Sequence, residues 1–310
     1  MDIVVFGAGS LGTLVGGLLA REHDVTLVAR DPHAQAVTER GLRIEQAVET
    51  TVYPSTTTDG SALEADLAVV TVKSFDTESA AAALATGRFD AVLTLQNGMG
   101  NEQALATRLE CPVLVGTATY GAVLREPGVV ACTGVGEIVL GAPDGGSSAV
   151  ADVVGTAFSA AGLETTVSTA MPRRQWEKLA VNAGINPVTA LADVRNGAVL
   201  ESPARPLARA ATRETARVAR AVGVRLSNRE ALAALESVAT ATAENTSSMR
   251  QDVAAGQRTE IDSINGFVLE RAREKGLEVP TNALLTALVR TWESENVASR
   301  SAGRNSEPSR

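Results

Sequence analysis

The sequence predicts an α/β half followed by an all-α half, and three observations predict it. Ile3-Val4-Val5-Phe6 is a short continuous apolar run that enters a glycine-spaced turn and then a helical pattern. Further apolar runs of strand length follow, each trailed by an Ala-rich stretch. After Met171-Pro172 no convincing strand remains, and long Ala-rich helical patterns take over. An apolar run without polar alternation suits a parallel strand buried on both faces. Strands alternating with helices build a parallel sheet.

The first strand runs into Gly7-Ala8-Gly9-Ser10-Leu11-Gly12, and a helix is expected over Leu14 to Arg21, with Gly16 and Gly17 inside it. In such a GxGxxG the first glycine permits the tight turn and the second lets the backbone approach a pyrophosphate. The third lets the helix pack close to the strand, and the helix N-terminus offers amide donors to the phosphates. A strand before the motif and a helix after it are the context the fingerprint requires. Residues 1–168 are therefore expected to form a Rossmann-type dinucleotide-binding domain, with Gly7, Ala8, Gly9, Ser10, Leu11 and Gly12 at the cofactor.

The second strand, Val25 to Ala29, ends at Arg30-Asp31. An acidic side chain at that tip holds a ribose 2′-hydroxyl, whereas an Arg suits a 2′-phosphate. Arg30 comes first, so NADP(H) is favoured, and Asp31 keeps NAD(H) possible. Two more strands, Leu67 to Val72 and Ala91 to Leu95, end at Lys73-Ser74 and at Gln96-Asn97-Gly98. Ligands of open parallel sheets lie outside these carboxyl ends. That favours functional roles for Lys73 and Asn97 over a surface charge and a plain turn. From Val113 to Leu140, three short β-rich segments separated by Gly and Pro predict an antiparallel meander extending the sheet. A helix over Ala149 to Ala161 and a strand over Glu164 to Val167 close the domain.

Residues 169–297 are expected to be a helical substrate and catalytic domain. Helical patterns cover Arg173 to Leu191, Ala204 to Val222, Asn228 to Glu244, Glu260 to Lys275 and Thr281 to Ser294. In the first of them Lys178, Asn182 and Asn186 recur every fourth residue, a spacing that keeps side chains on one helix face. Leu179, Val181 and Ile185 are left to pack elsewhere. An ammonium beside two amides can hold an oxygen-rich substrate and hand it a proton; taken alone, the same stripe also reads as a solvated helix face. Asn196-Gly197 closes the turn after this helix. Asn245-Thr246-Ser247-Ser248-Met249 carries an amide and hydroxyls suited to a carboxylate or hydroxyl ligand. Thr259 reads as a helix N-cap with Glu260 in the first turn, where the helix dipole stabilises an acid whether or not it meets substrate. The Ser/Arg/Gly-rich end, 298–310, reads as a disordered tail.

Composition narrows the class. The 310 residues are 45% hydrophobic and only 3% aromatic, so the core must be built from Ala, Val and Leu. A net charge of −8 leaves no excess of cations to neutralise phosphates, and no nucleic-acid partner is expected. Cys111 and Cys132 form neither a metal-ligand spacing nor a disulfide framework, so no metal is expected. No uncharged apolar stretch of about 20 residues is present, so no membrane span is expected. Nor does the N-terminus show the basic region of a leader. A cytoplasmic protein is the expectation, and exposed apolar helix faces could support a homodimer.

Taken in order, GAGSLG at Gly7–Gly12, Val72-Lys73, Gln96-Asn97-Gly98-Met99-Gly100, Trp176 to Asn182, Ile185-Asn186-Pro187, Asn196-Gly197, Asn245 to Asp252 and Thr259 to Gly266 carry a resemblance. The chain resembles the ketopantoate reductase (2-dehydropantoate 2-reductase) family from Met1 to about Glu295. The first motif is generic; the ordered set of the others is specific. The resemblance implies NADPH-dependent reduction of a small 2-oxo acid, 2-dehydropantoate, to pantoate in pantothenate and coenzyme A biosynthesis. It implies Lys178 as proton donor, with Asn182, Asn186, Asn196 and Ser248 holding substrate. Asn97 and Glu260 would touch both substrate and cofactor. Arg30 and Lys73 would lie near the cofactor's adenosine end, and Ala122 would line it. The rivals are a reductase of another 2-oxo acid on the same scaffold and a non-catalytic NADPH-sensing module.

Overall fold

The computed structural model describes the backbone of residues 1–304 and the side chains of residues 1–297. The tail expected over 298–310 thus lies outside the described side chains, and 305–310 lie outside the described residues altogether. The chain divides into two units, Met1–Pro172 and the remainder from Arg173.

In the first unit β1 (Asp2–Phe6) leads into α1 (Ser10–Leu19), β2 (Asp24–Val28) and α2 (His33–Arg40). Three short strands follow: β3 (Leu42–Gln46), β4 (Thr50–Val52) and β5 (Ser55–Thr57). Next come β6 (Glu64–Val70), α3 (Thr77–Leu84), β7 (Arg88–Thr94), α4 (Asn101–Ala106) and β8 (Val113–Ala118). The unit ends with β9 (Gly121–Glu126), β10 (Val129–Gly134), β11 (Ile138–Gly141), α5 (Ala149–Ala160) and β12 (Thr165–Val167).

Eight strands form one sheet in the order β12-β11-β8-β7-β6-β1-β2-β5. Every neighbouring pair is parallel except β8 with β11. Side chains alternate across this sheet, and both faces are buried. Ile3, Val5, Leu67, Val69 and Leu93 join Leu14 and Leu18 of α1 and Phe158 of α5 in one cluster. Val4, Ala68, Val70 and Val92 join Ala81 and Leu84 of α3 and Leu105 of α4 in another. Helices on both faces explain why the apolar runs show no polar alternation.

The expected single meander over 113–140 is not formed. β8 and β11 stay antiparallel in the main sheet, but β9 and β10 leave it. They build a second sheet of order β4-β3-β10-β9, in which β10 runs parallel to β3. Leu42 and Ile44 of β3 meet Val130 and Cys132 of β10 in the core, and that shared apolar face redirects the hairpin. Arg43, Glu45 and Gln46 interrupt the apolar positions of β3, so no apolar run announces the strand.

The second unit is helical. It contains most of α6 (Met171–Ala192), a 3₁₀ turn Asn196–Leu200, α7 (Ala204–Ala221) and α8 (Asn228–Ala241). Then follow α9 (Ser248–Ala254), α10 (Phe267–Glu274) and α11 (Pro280–Arg304). Val181, Ile185 and Val188 of α6 pack with Ala208 and Ala211 of α7, Leu232 and Leu235 of α8 and Leu285 of α11. The absence of a Cβ at Gly184 lets α6 and α7 approach closely: one added there would lie 2.9 Å from the Ala208 carbonyl oxygen.

One helix start departs from expectation. Thr259 Oγ1 does accept the Ile261 N–H at 3.2 Å, as a cap does. A π-helical turn, Asp262–Gly266, then intervenes before α10, closed by Gly266 N–H donating to the Ile261 carbonyl at 2.9 Å. The wider turn carries Asn265, which is wholly buried. Among the described residues no helix is long and apolar enough to cross a membrane.

Candidate active site

In the first unit the sheet register brings the predicted residues to one edge. Phe6 pairs with both Val28 and Val70, and Val70 with Thr94. The segments that follow these strands, at Gly7, Arg30, Lys73 and Asn97, therefore leave the sheet at the same carboxyl end. The glycine loop is held there by Ala8 N–H donating to the Val28 carbonyl at 2.9 Å and by Thr71 Oγ1 donating to the Gly7 carbonyl at 2.9 Å.

Two of its glycines are required by the fold. Gly7 has φ +106°, and a Cβ there would lie 2.7 Å from Val72 N. At Gly12 a Cβ would lie 2.3 Å from the Gly7 carbonyl oxygen. Gly9 differs: nothing in the protein lies within 4 Å of a Cβ placed on it. The fold leaves that space open in front of the first turn of α1, whose N–H groups have no intrahelical partners. A cradle lined by backbone amides at a helix N-terminus fits a dinucleotide pyrophosphate.

The other first-unit residues gather around this loop. Ser10 Oγ accepts the Leu124 N–H at 3.1 Å, which brings β9, the strand of Ala122, beside the loop. The Arg30 side chain is 94% exposed and reaches Asp76 at 3.8 Å, so the Arg30 tip adjoins the turn that begins at Lys73. Gln96 Nε2 donates to the Val72 carbonyl at 3.0 Å and to Thr77 Oγ1 at 2.7 Å. Thr77 Oγ1 donates to Asn101 Oδ1 at 2.8 Å, and Asn101 Nδ2 donates to the Asn97 carbonyl at 3.1 Å. This buried chain links the Lys73 turn to the Asn97 turn. Sequence reading did not single out Gln96 Nε2, Thr77 or Asn101 as its members; none has a periodicity to betray it.

His33 is a second unforeseen member. Its Nδ1 accepts the Gly128 N–H at 3.0 Å, and its Nε2 lies 3.2 Å from Thr13 Oγ1, which donates to the Ala8 carbonyl at 3.0 Å. Burial holds the His33 pKa below the usual histidine value. The ring is thus neutral, with Nε2 carrying the proton toward Thr13.

In the second unit Lys178, Asn182 and Asn186 occupy one stripe of α6, while Leu179, Val181 and Ile185 are buried away from solvent. Asn186 is buried; Lys178 and Asn182 are partly buried. Glu260, itself buried, acts electrostatically on Lys178. The structure therefore joins the stripe to the Glu260 segment, a link the sequence left undecided. Burial lowers the Lys178 pKa from 10.5 to about 8, and the Glu260 carboxylate opposes that fall.

Asn196 is buried, with Nδ2 donating to Thr242 Oγ1 at 3.1 Å. Its Oδ1 is a buried acceptor with no hydrogen-bond partner among the described residues. In the serine pair it is Ser247 that enters the fold. Ser247 Oγ accepts the Arg250 N–H at 3.2 Å and lies 2.7 Å from Thr189 Oγ1 of α6. Ser248 stands exposed at the start of α9. Among the described residues no group of His, Cys, Asp and Glu is arranged to hold a metal ion.

An amide-lined cradle at the carboxyl end of a parallel sheet defines a class: Rossmann-type dinucleotide-binding proteins. Comparison with known proteins specifies it. The family model for ketopantoate reductase PanE/ApbA matches residues 3–145, and the model for its C-terminal domain matches residues 170–293. The 2-dehydropantoate 2-reductase of Halobacterium salinarum is 50% identical over 94% of this chain and 98% of its own length. That of Pyrococcus horikoshii is 39% identical over 95% and 98%. A PanE/ApbA family ketopantoate reductase from Ralstonia eutropha superposes with a TM-score of 0.88 at 35% identity, covering 96% of this chain and 99% of the other. A D-mandelate dehydrogenase in complex with NADH and anilino(oxo)acetate superposes with a TM-score of 0.89 at 26% identity, covering 95% and 99%. This chain belongs to the ketopantoate reductase family, and it is an oxidoreductase.

Proposed function

We propose that this chain reduces 2-dehydropantoate to pantoate, with NADPH as reductant and Lys178 as the proton donor. The reduction itself follows from family membership and from a relative 50% identical over nearly the whole chain. The proton donor rests on one observation, the stripe Lys178–Asn182–Asn186 with Glu260 acting on its lysine.

When bound, the reduced nicotinamide supplies the hydride that C2 of the substrate ketone receives. Lys178 hydrogen-bonds the carbonyl oxygen, stabilises the negative charge developing there and transfers its proton to it. The product is the alcohol, and the neutral lysine is recharged from solvent. Asn182, Asn186, Asn196 and Ser248 hold the substrate carboxylate and hydroxyl, so that one face of C2 is presented. Asn97 and Glu260 contact both substrate and cofactor. The Gly7–Gly12 loop, with Ala8, Ser10 and Leu11, takes the pyrophosphate, Ala122 lines the dinucleotide, and Lys73 and Arg30 take its adenosine end.

The exposed Arg30 guanidinium supports NADPH over NADH. Arg30→Ala is expected to raise KM for NADPH about tenfold, the worth of a charge-assisted hydrogen bond, and to leave KM for NADH nearly unchanged. Equal effects on both cofactors would remove Arg30 from 2′-phosphate recognition. At Gly9, where a Cβ meets open space, alanine is expected to leave Tm unchanged and to weaken NADPH binding severalfold by filling the cradle. A titration of cofactor fluorescence beside a thermal melt reads both.

The NADH complex of the D-mandelate dehydrogenase favours a second reading, an NADH-dependent reductase of another 2-oxo acid. A panel of 2-oxo acids assayed with each cofactor separates the two. Highest kcat/KM for 2-dehydropantoate with NADPH supports the proposal; highest kcat/KM for an aromatic or shorter 2-oxo acid supports the alternative.

A further inference from the structure

Pro187 lies inside α6, one residue beyond the Lys178–Asn182–Asn186 stripe. Proline has no N–H, so the helix loses the hydrogen bond to the carbonyl four residues earlier, and the ring pushes that carbonyl aside. That carbonyl belongs to Ala183, between Asn182 and Asn186. It is buried and would be left without its helix donor. Instead Asn265 Nδ2 donates to it at 3.1 Å.

The Asn265 carboxamide cannot be reversed. Its second Nδ2 proton goes to Asn282 Oδ1 at 3.0 Å. Asn282 Nδ2 in turn donates to the Ala211 carbonyl at 3.1 Å and to Glu214 Oε2 at 2.8 Å. The Glu214 carboxylate also accepts the Thr281 and Asn282 N–H groups at 3.0 and 2.9 Å. Glu214 accepts only, so the orientation of each amide is set in turn, from Glu214 through Asn282 to Asn265, and ends on Ala183. Asn265 sits in the π-helical turn that follows Glu260, and both Asn265 and Asn282 are wholly buried.

We propose that Asn265 is a positioning residue for the Lys178 face. Its carboxamide replaces the helix rung that Pro187 deletes, fixes Asn186 relative to Lys178 and Asn182, and locks that helix to the turn that follows Glu260. A helix with a missing rung has two loosely joined halves; a rung supplied from the Glu260 segment makes stripe and carboxylate one rigid group. The proposal rests on reading this face as the one that handles substrate.

The test compares wild type, Asn265→Ala, Pro187→Ala and the double variant, by kcat/KM for 2-dehydropantoate, Kd for NADPH and Tm. Asn265→Ala is expected to lower kcat/KM about tenfold or more, as misplacement of reacting groups does, and to change the NADPH Kd far less. In the Pro187→Ala background the backbone N–H regained at that position takes the Ala183 carbonyl. There the same substitution is expected to cost at most about threefold, the remainder being the lost Asn282 bond. If Asn265→Ala fails to fold and the double variant folds, that rescue is the same coupling read in stability. Asn265→Ala with a lowered Tm but wild-type kcat/KM overturns the proposal, since the residue is then structural only. Equal losses in both backgrounds, or failure of both to fold, overturn it too, since the Ala183 carbonyl is then not the cause. If wild type does not turn over 2-dehydropantoate, the functional reading fails instead, and the Tm values alone still show whether Asn265 and Pro187 are coupled.

Discussion

Lys178→Ala is expected to lower kcat for 2-dehydropantoate by about 10²-fold or more, the range for loss of a positioned general acid, while Kd for NADPH should stay near wild type. Two features of the site make this the largest single effect. Hydride addition leaves full negative charge on the carbonyl oxygen unless a proton arrives, and water is a far weaker acid than a lysine titrating at about 8. The residues proposed to hold the dinucleotide backbone, Gly7–Gly12 and the segments after β2, β6 and β7, do not include Lys178. Cofactor binding and turnover should therefore separate cleanly. Lys178→Arg keeps the charge but releases its proton far less readily, so it should recover little of the kcat. A Lys178→Ala enzyme with near-normal kcat would show that the proton comes from elsewhere.

Glu260→Gln is expected to move the alkaline limb of the pH profile to lower pH. The sign follows from the two influences on Lys178. Burial lowers its pKa to about 8, and the Glu260 carboxylate works against burial. Donation requires the protonated ammonium, so kcat for reduction is expected to be level below about pH 8 and to fall above it. Removing the carboxylate leaves burial unopposed, the pKa drops further, and less enzyme carries the proton at neutral pH. Glu260→Gln should therefore lose activity at pH 8 more than at pH 6, whereas Glu260→Asp should retain most of the wild-type profile. An unshifted limb in Glu260→Gln would mean that this carboxylate does not govern the lysine, whatever else it contacts.

Much of the first unit was legible because its strands are buried on both faces. Val4 and Val5 enter different clusters, and only a doubly covered sheet needs both to be apolar. β3 and β4 were harder, and β10 was read as a strand over Gly128 to Ala131 but placed in the wrong sheet. The apolar face of the second sheet is assembled from segments more than 80 residues apart, as with Ile44 and Val130. The Lys178 stripe was visible from spacing alone, since four-residue steps define a helix face before any tertiary contact is known. The ties that hold the site were not. His33 with Gly128, Thr77 with Asn101 and Asn265 with Ala183 are single polar contacts across 95, 24 and 82 residues, and a lone polar residue carries no period. Pro187 gives the sharpest case. The helical pattern ran through a residue that usually ends a helix, and the carbonyl that Pro187 leaves without its helix donor is met by a side chain in the distant Thr259–Gly266 segment.

The measurement that tests the central claim most directly is NADPH oxidation by the wild-type protein on addition of 2-dehydropantoate, with the product identified and cofactor binding followed in parallel. The account predicts one pantoate formed for each NADPH consumed. NADPH bound but not oxidised in the presence of 2-dehydropantoate would contradict it.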